Sequence, residues 1–454
     1  MTGIFRAYDI RGRYGDEINE TTAYNIGRAF ATCLASETER RPKDVVVGRD
    51  VRNSSASLAD SLIKGLTECN CNVIDAGMVS TPIVAFATRF FCYDAGIAVT
   101  ASHLGREYNG FKFFDEHGVA ISYEAGINEI EKNFVSNNYV ASMYKGIVTK
   151  RNVVENYYSF IKSKLNLVKT DISVAIDAIH GVMGLIAPPL LSDFCEVTET
   201  LRCDASGNFP EAGPDPSRLE NLEMLKERVT ESKCDVGFAY DGDGDRLAVV
   251  DEKGEVVSPT KIFALLIEHE LKSHEEGKIV FDFVTSDAIK EWINQQGGVP
   301  LVCRVGHTYI TRKLIEERAV IAGELSGHYY FKDMFGIDDA LFASLKILEI
   351  LQTRNEKLSK LCKNIPEYPM ETINITVKEE KKFSFVEELR REFEERGYKC
   401  ETLDGIKVHV DDGWLVIRPS NTENKIRIVY EAKSKHSFER LKEMAREIVI
   451  RAPK

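Results

Sequence analysis

Short apolar runs that end in Gly, Asp or Ser alternate along this chain with longer stretches whose apolar and charged positions follow a helical period. KDVVVGRD (43–50), NVIDAG (72–77), AGIAVTASH (95–103), ISVAIDAIHG (172–181), CDVGFAYD (234–241) and KIVFDFVTSD (278–287) are of the first kind. Runs without polar alternation read as strands buried on both faces, and strands alternating with helices build α/β layers with mainly parallel sheets. Three openings share one style. VVVGRDVRNSS, VAIDAIHGVMG and VFDFVTSDAIK each place an apolar strand before a polar loop and a helix, at intervals of roughly a hundred residues, which predicts three related α/β units. Polar or turn-rich breaks at SNNYVASMYKG (136–146), VVDEKGEVVSP (249–259) and NIPEYPM (364–370) divide the chain into units 1–142, 143–252 and 253–366. After residue 366 the order changes to a strand (ETINITV), a helix (FVEELRREFEERG), two strands (GWLVIRPS and NKIRIVYEAK) joined by a tight loop, and a closing helix (FERLKEMAREIV), a small α+β unit over 367–454.

Four units suit the length, since 454 residues at about 100–200 per domain suggest three or four. With 43% apolar and 29% charged residues the composition is that of a globular protein. Lys and Arg number 59 against 71 Asp and Glu, a net charge of −12, so the field of the whole protein repels polyphosphates and argues against a nucleic-acid coat. An anionic ligand therefore needs a local basic pocket. Residues 425–454 supply one such region, with nine Lys/Arg against four Asp/Glu. The ten Cys form no CxxC pair and no zinc spacing, and they read as reduced, buried thiols of a cytoplasmic protein. The start MTGIFRAYDIRG is charged at once and no stretch approaches the ~18 apolar residues of a membrane span, so neither export nor anchoring is expected.

The most specific local feature is YDGDGDR (240–246), three carboxylates at i, i+2 and i+4 between glycines. In an extended loop that spacing turns Asp241, Asp243 and Asp245 to one side, and hard oxygen ligands suit magnesium or calcium. A calcium-binding EF-hand is the rival, with the Asp at positions 1, 3 and 5 and Glu252 at 12. It fails at position 6, where Gly is needed and Arg246 stands. A solvated turn is the plainer alternative. Three carboxylates leave coordination positions open for a phosphoryl oxygen. In TASHLGREYNGFK (100–112) Ser102 ends a strand, where α/β sheets place reactive groups, with His103 beside it and Lys112 ten residues on. Alone this reads first as a surface turn with a satisfied His. The hydrolase elbow G-x-S-x-G is absent, because Ala101 and His103 flank the serine. In AGELSGHYYF (322–331) small residues surround Glu324, with Ser326 and His328 nearby, a loop that suits a sugar's hydroxyls or a simple βα turn. In IRPSNTENKIRI (417–428) Arg418 offers a phosphate-gripping fork beside the donors of Ser420, Asn421 and Thr422, and a plain hairpin is the alternative. FRAYDIRG carries Tyr8 and Arg11, and CRVGHTYI carries His307.

Taken together and in this order, the four loops resemble those of the α-D-phosphohexomutases over essentially the whole chain. TASHLGREYNGFK is similar to the family's phosphoserine loop, DGDGDR to its magnesium loop, GELSGH to its sugar loop and RPSNTE to its phosphate loop. GELSGH and RPSNT look more like the phosphomannomutase/phosphoglucomutase members than the phosphoglucosamine mutases, the alternative. The resemblance implies a heart-shaped monomer of three related α/β domains and a C-terminal α+β domain around a central cleft, with a homodimer also compatible. It implies a phosphoryl group on Ser102, and magnesium held by Asp241, Asp243, Asp245 and the Ser102 group. Three departures stand out: Leu104 and Gly105 replace the usual Asn-Pro, Asn424 stands where Pro is common, and Val284 lies near where some members carry Lys.

The expected reaction interconverts hexose 1-phosphate and 6-phosphate, of mannose or glucose, through a bound hexose 1,6-bisphosphate that also serves as activator. Arg246, Lys112 and Arg11 are expected to shield the transferring phosphoryl group, Tyr8, Glu324 and Ser326 to bind the sugar, and Arg418, Ser420, Asn421 and Thr422 to hold the remote phosphate. His307 and Lys112 are candidates for general acid and base, with His103 orienting the serine loop. A sugar-phosphate phosphatase and a non-catalytic phosphosugar sensor are the rivals from other classes.

Overall fold

Lys43–Arg49, the VVVG run, shows why the apolar stretches are uninterrupted: Val45 and Val47 enter one hydrophobic core and Val46 the core on the opposite face of the sheet. A strand covered on both sides has no polar face to alternate with. The computed structural model describes residues 3–35, 42–210, 213–420 and 424–453.

The first sheet contains β1 (Ile10–Arg13), β2 (Lys43–Arg49), β3 (Cys71–Met78), β4 (Ala95–Val99), β5 (Tyr108–Phe114) and β6 (Val148–Lys150), in the order β1-β5-β4-β2-β3-β6. Strands β2, β3, β4 and β6 run parallel, and β5 is antiparallel to β4 and β1. β6 carries this sheet past residue 142, because Val148–Lys150 pairs with β3. The second sheet, from β7 (Ser173–Asp177), β8 (Glu196–Leu201), β9 (Val236–Tyr240), β10 (Leu247–Asp251) and β11 (Val256–Val257), has the order β11-β10-β9-β7-β8. The third contains β12 (Lys278–Asp282), β13 (Val299–Cys303), β14 (Ile321–Gly323) and β15 (Tyr329–Phe331), ordered β13-β12-β14-β15. The fourth is wholly antiparallel, from β16 (Met370–Thr376), β17 (Lys399–Glu401), β18 (Ile406–Val410), β19 (Gly413–Pro419) and β20 (Lys425–Ala432), ordered β16-β20-β19-β18-β17. Its β17 and β18 go beyond the pattern reading of that unit, which held three strands.

Helices cover both faces of the first sheet. One of them, Thr81–Phe90, puts Pro at its start, buries Val84 on the first sheet and packs Phe86 against Tyr157 and Phe335, and a single core cluster runs through Phe86, Phe238, Phe281 and Phe342. The fourth unit keeps its own core, beneath helices Lys382–Glu395 and Lys435–Arg451. It meets the third unit through a small apolar patch of Phe283, Val284, Trp414, Val416 and Val429. Val284 is thus a packing residue of this junction. All ten Cys are free thiols, but Cys33 and Cys92 are exposed, against the expectation that all are buried. Among the described residues no helix is long and apolar enough to cross a membrane. The four units form the expected architecture of three α/β domains and an α+β domain, and the loops after β4, between β9 and β10 and between β14 and β15 meet one another.

Candidate active site

The Asp triplet sits at the turn between β9 and β10. β9 is wholly buried, which delivers Asp241 to the strand's end, and Gly244 adopts φ 80° to reverse the chain. The expected extended loop is therefore a tight turn, organised by Asp241: its Oδ1 accepts from the N–H groups of Gly244 (2.9 Å), Asp245 (3.1 Å) and Arg246 (3.2 Å). The first unit supplies the other partners. Thr81 Oγ1 donates to Asp243 Oδ2 at 2.6 Å, and Lys112 Nζ donates to Asp243 Oδ2 at 2.8 Å and Asp245 Oδ2 at 2.6 Å. Asp243 Oδ1 is buried and accepts no hydrogen bond among the described residues, and the buried Asp245 Oδ1 faces His328 Nε2 at 3.3 Å. One oxygen from each of the three carboxylates lies within 4.8 Å of the others. Buried carboxylate oxygens without donors are costly unless a cation meets them, and an all-oxygen donor set suits a hard divalent ion. The cluster is fit to hold a metal ion.

Electrostatics agree with this crowding. Burial first, then Asp245 and Asp243, pushes the Asp241 carboxyl well above its ordinary value. Burial opposes the charge of Lys112, but Asp243 and Asp245 outweigh it and hold the ammonium above the usual lysine range. Lys112 lies on β5 opposite Ala98 of β4, so one antiparallel pairing delivers both the lysine and the serine loop.

Ser102 follows β4 and is buried, 2% exposed, in the left-handed conformation at φ 51°. It is not a surface turn. Its N–H donates to Thr100 Oγ1 (2.9 Å), its Oγ donates to Asp241 Oδ2 (3.1 Å), and His103 Nδ1 lies 3.2 Å from the same Oγ. Burial, then Arg246 and Arg11, pushes the His103 pKa far down, so the ring is neutral.

Glu324 and Ser326 lie between β14 and β15. Glu324 accepts a hydrogen bond from Tyr330, and Ser326 Oγ is 2.8 Å from His328 Nδ1. His328 Nε2 stands 3.3 Å from Asp245 Oδ1, which joins this loop to the Asp cluster. His328 therefore belongs to the site, although the sequence reading only noted it beside Glu324. His307 opens helix His307–Glu317, packs edge-on to the Tyr8 ring at 5.6 Å, and has a buried Nε2 with no hydrogen-bond partner among the described residues. Burial, then Lys112 and His328, pushes its pKa down to about 3. Tyr8 donates to the Val305 carbonyl at 2.8 Å, and Gly306, at φ 131°, has no room for a Cβ, which would lie 2.6 Å from the Tyr8 ring. Arg11 on β1 pairs with Asp9, while Arg11 Nε and Arg246 Nε are buried and make no hydrogen bond among the described residues. Arg246 lies 4.0 Å from Asp215.

On the fourth unit Arg418 ends β19 and meets Asp404 Oδ2 at 3.3 Å. The same Oδ2 accepts from the Val305 N–H at 3.1 Å, so Tyr8 and Asp404, from the first and fourth units, hold one residue of the third. Ser420 is buried, its N–H donating to Lys425 O and its carbonyl accepting from Lys382 Nζ, both at 2.8 Å. Asn421 and Thr422 lie outside the described residues. The structure thus gathers Ser102, His103, Lys112 and the three Asp into one knot, with His328 at its edge. Arg418 and Ser420 form a second group, and among the described residues no hydrogen bond joins them to the knot. Arg52, which binds the serine loop from beneath, and Asp404 left no sequence signal, because a single charged residue carries no spacing.

Comparison with known proteins bears on the whole chain. Residues 2–140, 155–254 and 258–368 match the families described as phosphoglucomutase/phosphomannomutase, alpha/beta/alpha domains I, II and III, and residues 373–448 match the corresponding C-terminal domain. A phosphomannomutase/phosphoglucomutase of Pseudomonas syringae pv. tomato is 36% identical over 441 residues, covering 96% of this chain and 93% of that protein. A phosphoglucomutase of Neisseria gonorrhoeae is 34% identical, covering 99% and 97%. The crystal structure of a phosphoglucomutase/phosphomannomutase family protein from Burkholderia thailandensis superposes with TM-score 0.89 at 32% identity, covering 98% and 97%.

Proposed function

Because the chain belongs to the phosphoglucomutase/phosphomannomutase family, we propose that it interconverts the 1- and 6-phosphates of mannose or glucose in the cytoplasm by way of a phosphorylated Ser102. It is a phosphohexomutase, an isomerase that acts by phosphoryl transfer. The observation that carries the serine assignment is the buried Ser102 Oγ, 3.1 Å from Asp241, in a cluster where the buried Asp243 Oδ1 has no donor among the described residues.

Asp241, Asp243 and Asp245 would hold magnesium, with an oxygen of the Ser102 phosphate as a further ligand. When bound, the ion supplies positive charge to the transferring phosphoryl oxygens. The chain's own groups do the rest. Lys112, fixed between Asp243 and Asp245, and Arg246 and Arg11, each with a buried Nε that has no hydrogen-bond partner among the described residues, are the cations that face the phosphoryl group. The bond from Ser102 Oγ to phosphorus breaks as a sugar oxygen bonds to phosphorus, the sugar hydroxyl's proton passes to a base, and the departing Ser102 Oγ takes up a proton to become the hydroxyl. Asp243 and Asp245 hold Lys112 above the usual lysine range, which makes it a fixed cation and a poor base at neutral pH. His307 is the acceptor on geometry, since its buried Nε2 has no hydrogen-bond partner among the described residues, and the negative charge of a bound phosphate has to raise its basicity from the low value that burial imposes. Glu324 and Ser326 bind sugar hydroxyls, and Tyr8 supports the His307 loop. Arg418 and Ser420, with Asn421 and Thr422, grip the phosphate that is not reacting. The hexose 1,6-bisphosphate then turns over, its other phosphate returns to Ser102, and added bisphosphate rephosphorylates enzyme that has lost it.

The test is parallel mutase assays on mannose, glucose and glucosamine 1-phosphates, with product analysis and intact-mass measurement of wild type and Ser102→Ala. Turnover of mannose or glucose 1-phosphate to the 6-phosphate, one added phosphate on wild type and neither in the variant are expected. Release of inorganic phosphate as the main product, preference for glucosamine 1-phosphate, or a turning-over alanine variant each refutes the proposal.

A further inference from the structure

The loop VGRDVRNSS, between β2 and the helix Ser55–Glu68, is left without a role by the chemistry above, yet it holds one of the most thoroughly bonded side chains in the protein. Arg52 is 2% exposed. Its Nε donates to Asp50 Oδ2 at 2.9 Å, Nη1 to the carbonyls of Gly105 (2.6 Å) and Tyr108 (3.0 Å), and Nη2 to those of Ser102 and Leu104 (both 2.8 Å). A guanidinium has five N–H donors, and all five are used, four of them on the serine loop. We propose that Arg52 is the positioning residue of the phosphoryl-carrying serine, an inference that rests on the reading of Ser102 as that carrier.

Three features of the loop explain why such a clamp is needed. Ser102 has φ 51°, a conformation that is unfavourable for a non-glycine residue and persists only where its surroundings over-determine it. Leu104 and Gly105 follow the histidine, so the stretch lacks a residue that fixes its own φ, and Gly105 is free to adopt many conformations. The loop must also hold Ser102 Oγ against Asp241 while carrying a dianion. Arg52 answers each need from within the first unit. Four carbonyls converge on one planar cation, and Asp50 fixes that cation in turn. The same Asp50 accepts from Thr100 Oγ1 (2.8 Å), the hydroxyl that receives the Ser102 N–H, and from Ser55 Oγ (2.5 Å). The second unit closes the arrangement. The Arg52 guanidinium lies over the Phe209 ring at 4.9 Å, and a Cβ on Gly242 or Gly213 would stand 2.7 Å from the Ser102 carbonyl or 2.2 Å from that of His103. A lysine cannot substitute, since three tetrahedral donors do not span four carbonyls and a carboxylate.

Arg52 acts through Ser102 and touches no substrate, so its loss should appear in kcat and not in KM. The experiment compares wild type, Arg52→Lys and Thr100→Val in mutase turnover with saturating hexose 1,6-bisphosphate and magnesium, alongside thermal melting. Arg52→Lys is expected to lose about a hundredfold in kcat, the cost of an ångström-scale misplacement of a reacting group, with KM within about threefold. Thr100→Val frees the Ser102 N–H with little change of volume and should lose kcat with KM again retained. Where Arg52→Lys melts below the assay temperature, Thr100→Val decides. A folded Arg52→Lys with kcat within about threefold of wild type, a loss expressed mainly in KM, or a Thr100→Val enzyme with wild-type kcat overturns the positioning role. A wild type without mutase turnover overturns instead the reading of Ser102 on which it rests.

Discussion

Replacing Lys112 by methionine removes one charge and little volume from the most charge-dense point in the protein. The lysine side chain is 7% exposed, that of Asp243 1% and that of Asp245 4%, so water cannot replace the ammonium. Breaking a buried ion pair by deleting one partner costs about 3–5 kcal/mol, against about 0–1 for an exposed pair. The lower end applies here, because Asp243 keeps the Thr81 hydroxyl and Asp245 still faces His328. At about 2–4 °C per kcal/mol for a cooperative unit of 150–250 residues, a loss of about 3 kcal/mol lowers the melting temperature by about 6–12 °C. The measurement is thermal melting of Lys112→Met and wild type in EDTA, then in magnesium. Magnesium should return part of the loss and raise the variant's midpoint more than that of wild type, since the ion finds carboxylates no longer paired with an ammonium; a ligand at a hundred times its Kd contributes about 2.7 kcal/mol. A shift under about 2 °C in EDTA would show that the carboxylates do not depend on Lys112, and the charge argument for the site would fail with it.

Exhaustive chelation should abolish turnover and magnesium restore it, with Asp243→Asn needing more metal than wild type because one anionic oxygen is gone; turnover in EDTA refutes the metal assignment. Arg418→Ala should lower kcat/KM for the 1-phosphate and the 6-phosphate alike, by about 1.5–3 kcal/mol for a charged hydrogen bond, and a defect in one direction only would mean that separate groups hold the two phosphates. His307 is held neutral in the folded protein, at about 3 against an ordinary 6.5, so the unfolded chain binds the extra proton and stability falls as pH drops through that window. His307→Asn should flatten the fall between about pH 6.5 and 3, leaving the share due to His103, which is pushed in the same direction; an unchanged slope in urea titrations refutes the burial argument.

The strands of the three α/β units are legible because burial on both faces leaves no polar residue within them, as the split of Val45, Val46 and Val47 between two cores illustrates. Strand β17 escapes notice because three residues are too short to establish a period, whereas β18, IKVHV, alternates apolar and polar positions as a half-buried strand does and is legible over its five residues. In the site, the Gly-spaced Asp triplet and the loop with Ser102 announce themselves by residue type, yet the turn that makes the carboxylates converge depends on Asp241 Oδ1 capping three N–H groups, which no spacing encodes. Arg52 and Asp404 are invisible for a further reason. The carbonyls that Arg52 holds lie 50 to 56 residues away, and the Val305 N–H that Asp404 accepts lies 99 away, so this part of their meaning exists only in the folded chain. The exposure of Cys33 and Cys92 is of the same kind, for a thiol's burial depends on what packs over it.

The left-handed backbone at Ser102 has a practical consequence for anyone who wishes to follow its phosphorylation. A free peptide spanning TASHLGREYNG has neither Arg52 nor Asp241 to hold φ at 51°, and it relaxes to the right-handed or extended shapes that L-residues prefer. An antibody raised on such a phosphopeptide therefore learns a conformation the native enzyme never presents, at a residue that is only 2% exposed. It will stain denatured blots and miss the folded protein in solution. For the same reason, protein kinases that recognise serine in extended segments find no substrate here, and the phosphoryl group proposed for Ser102 would have to come from a small donor.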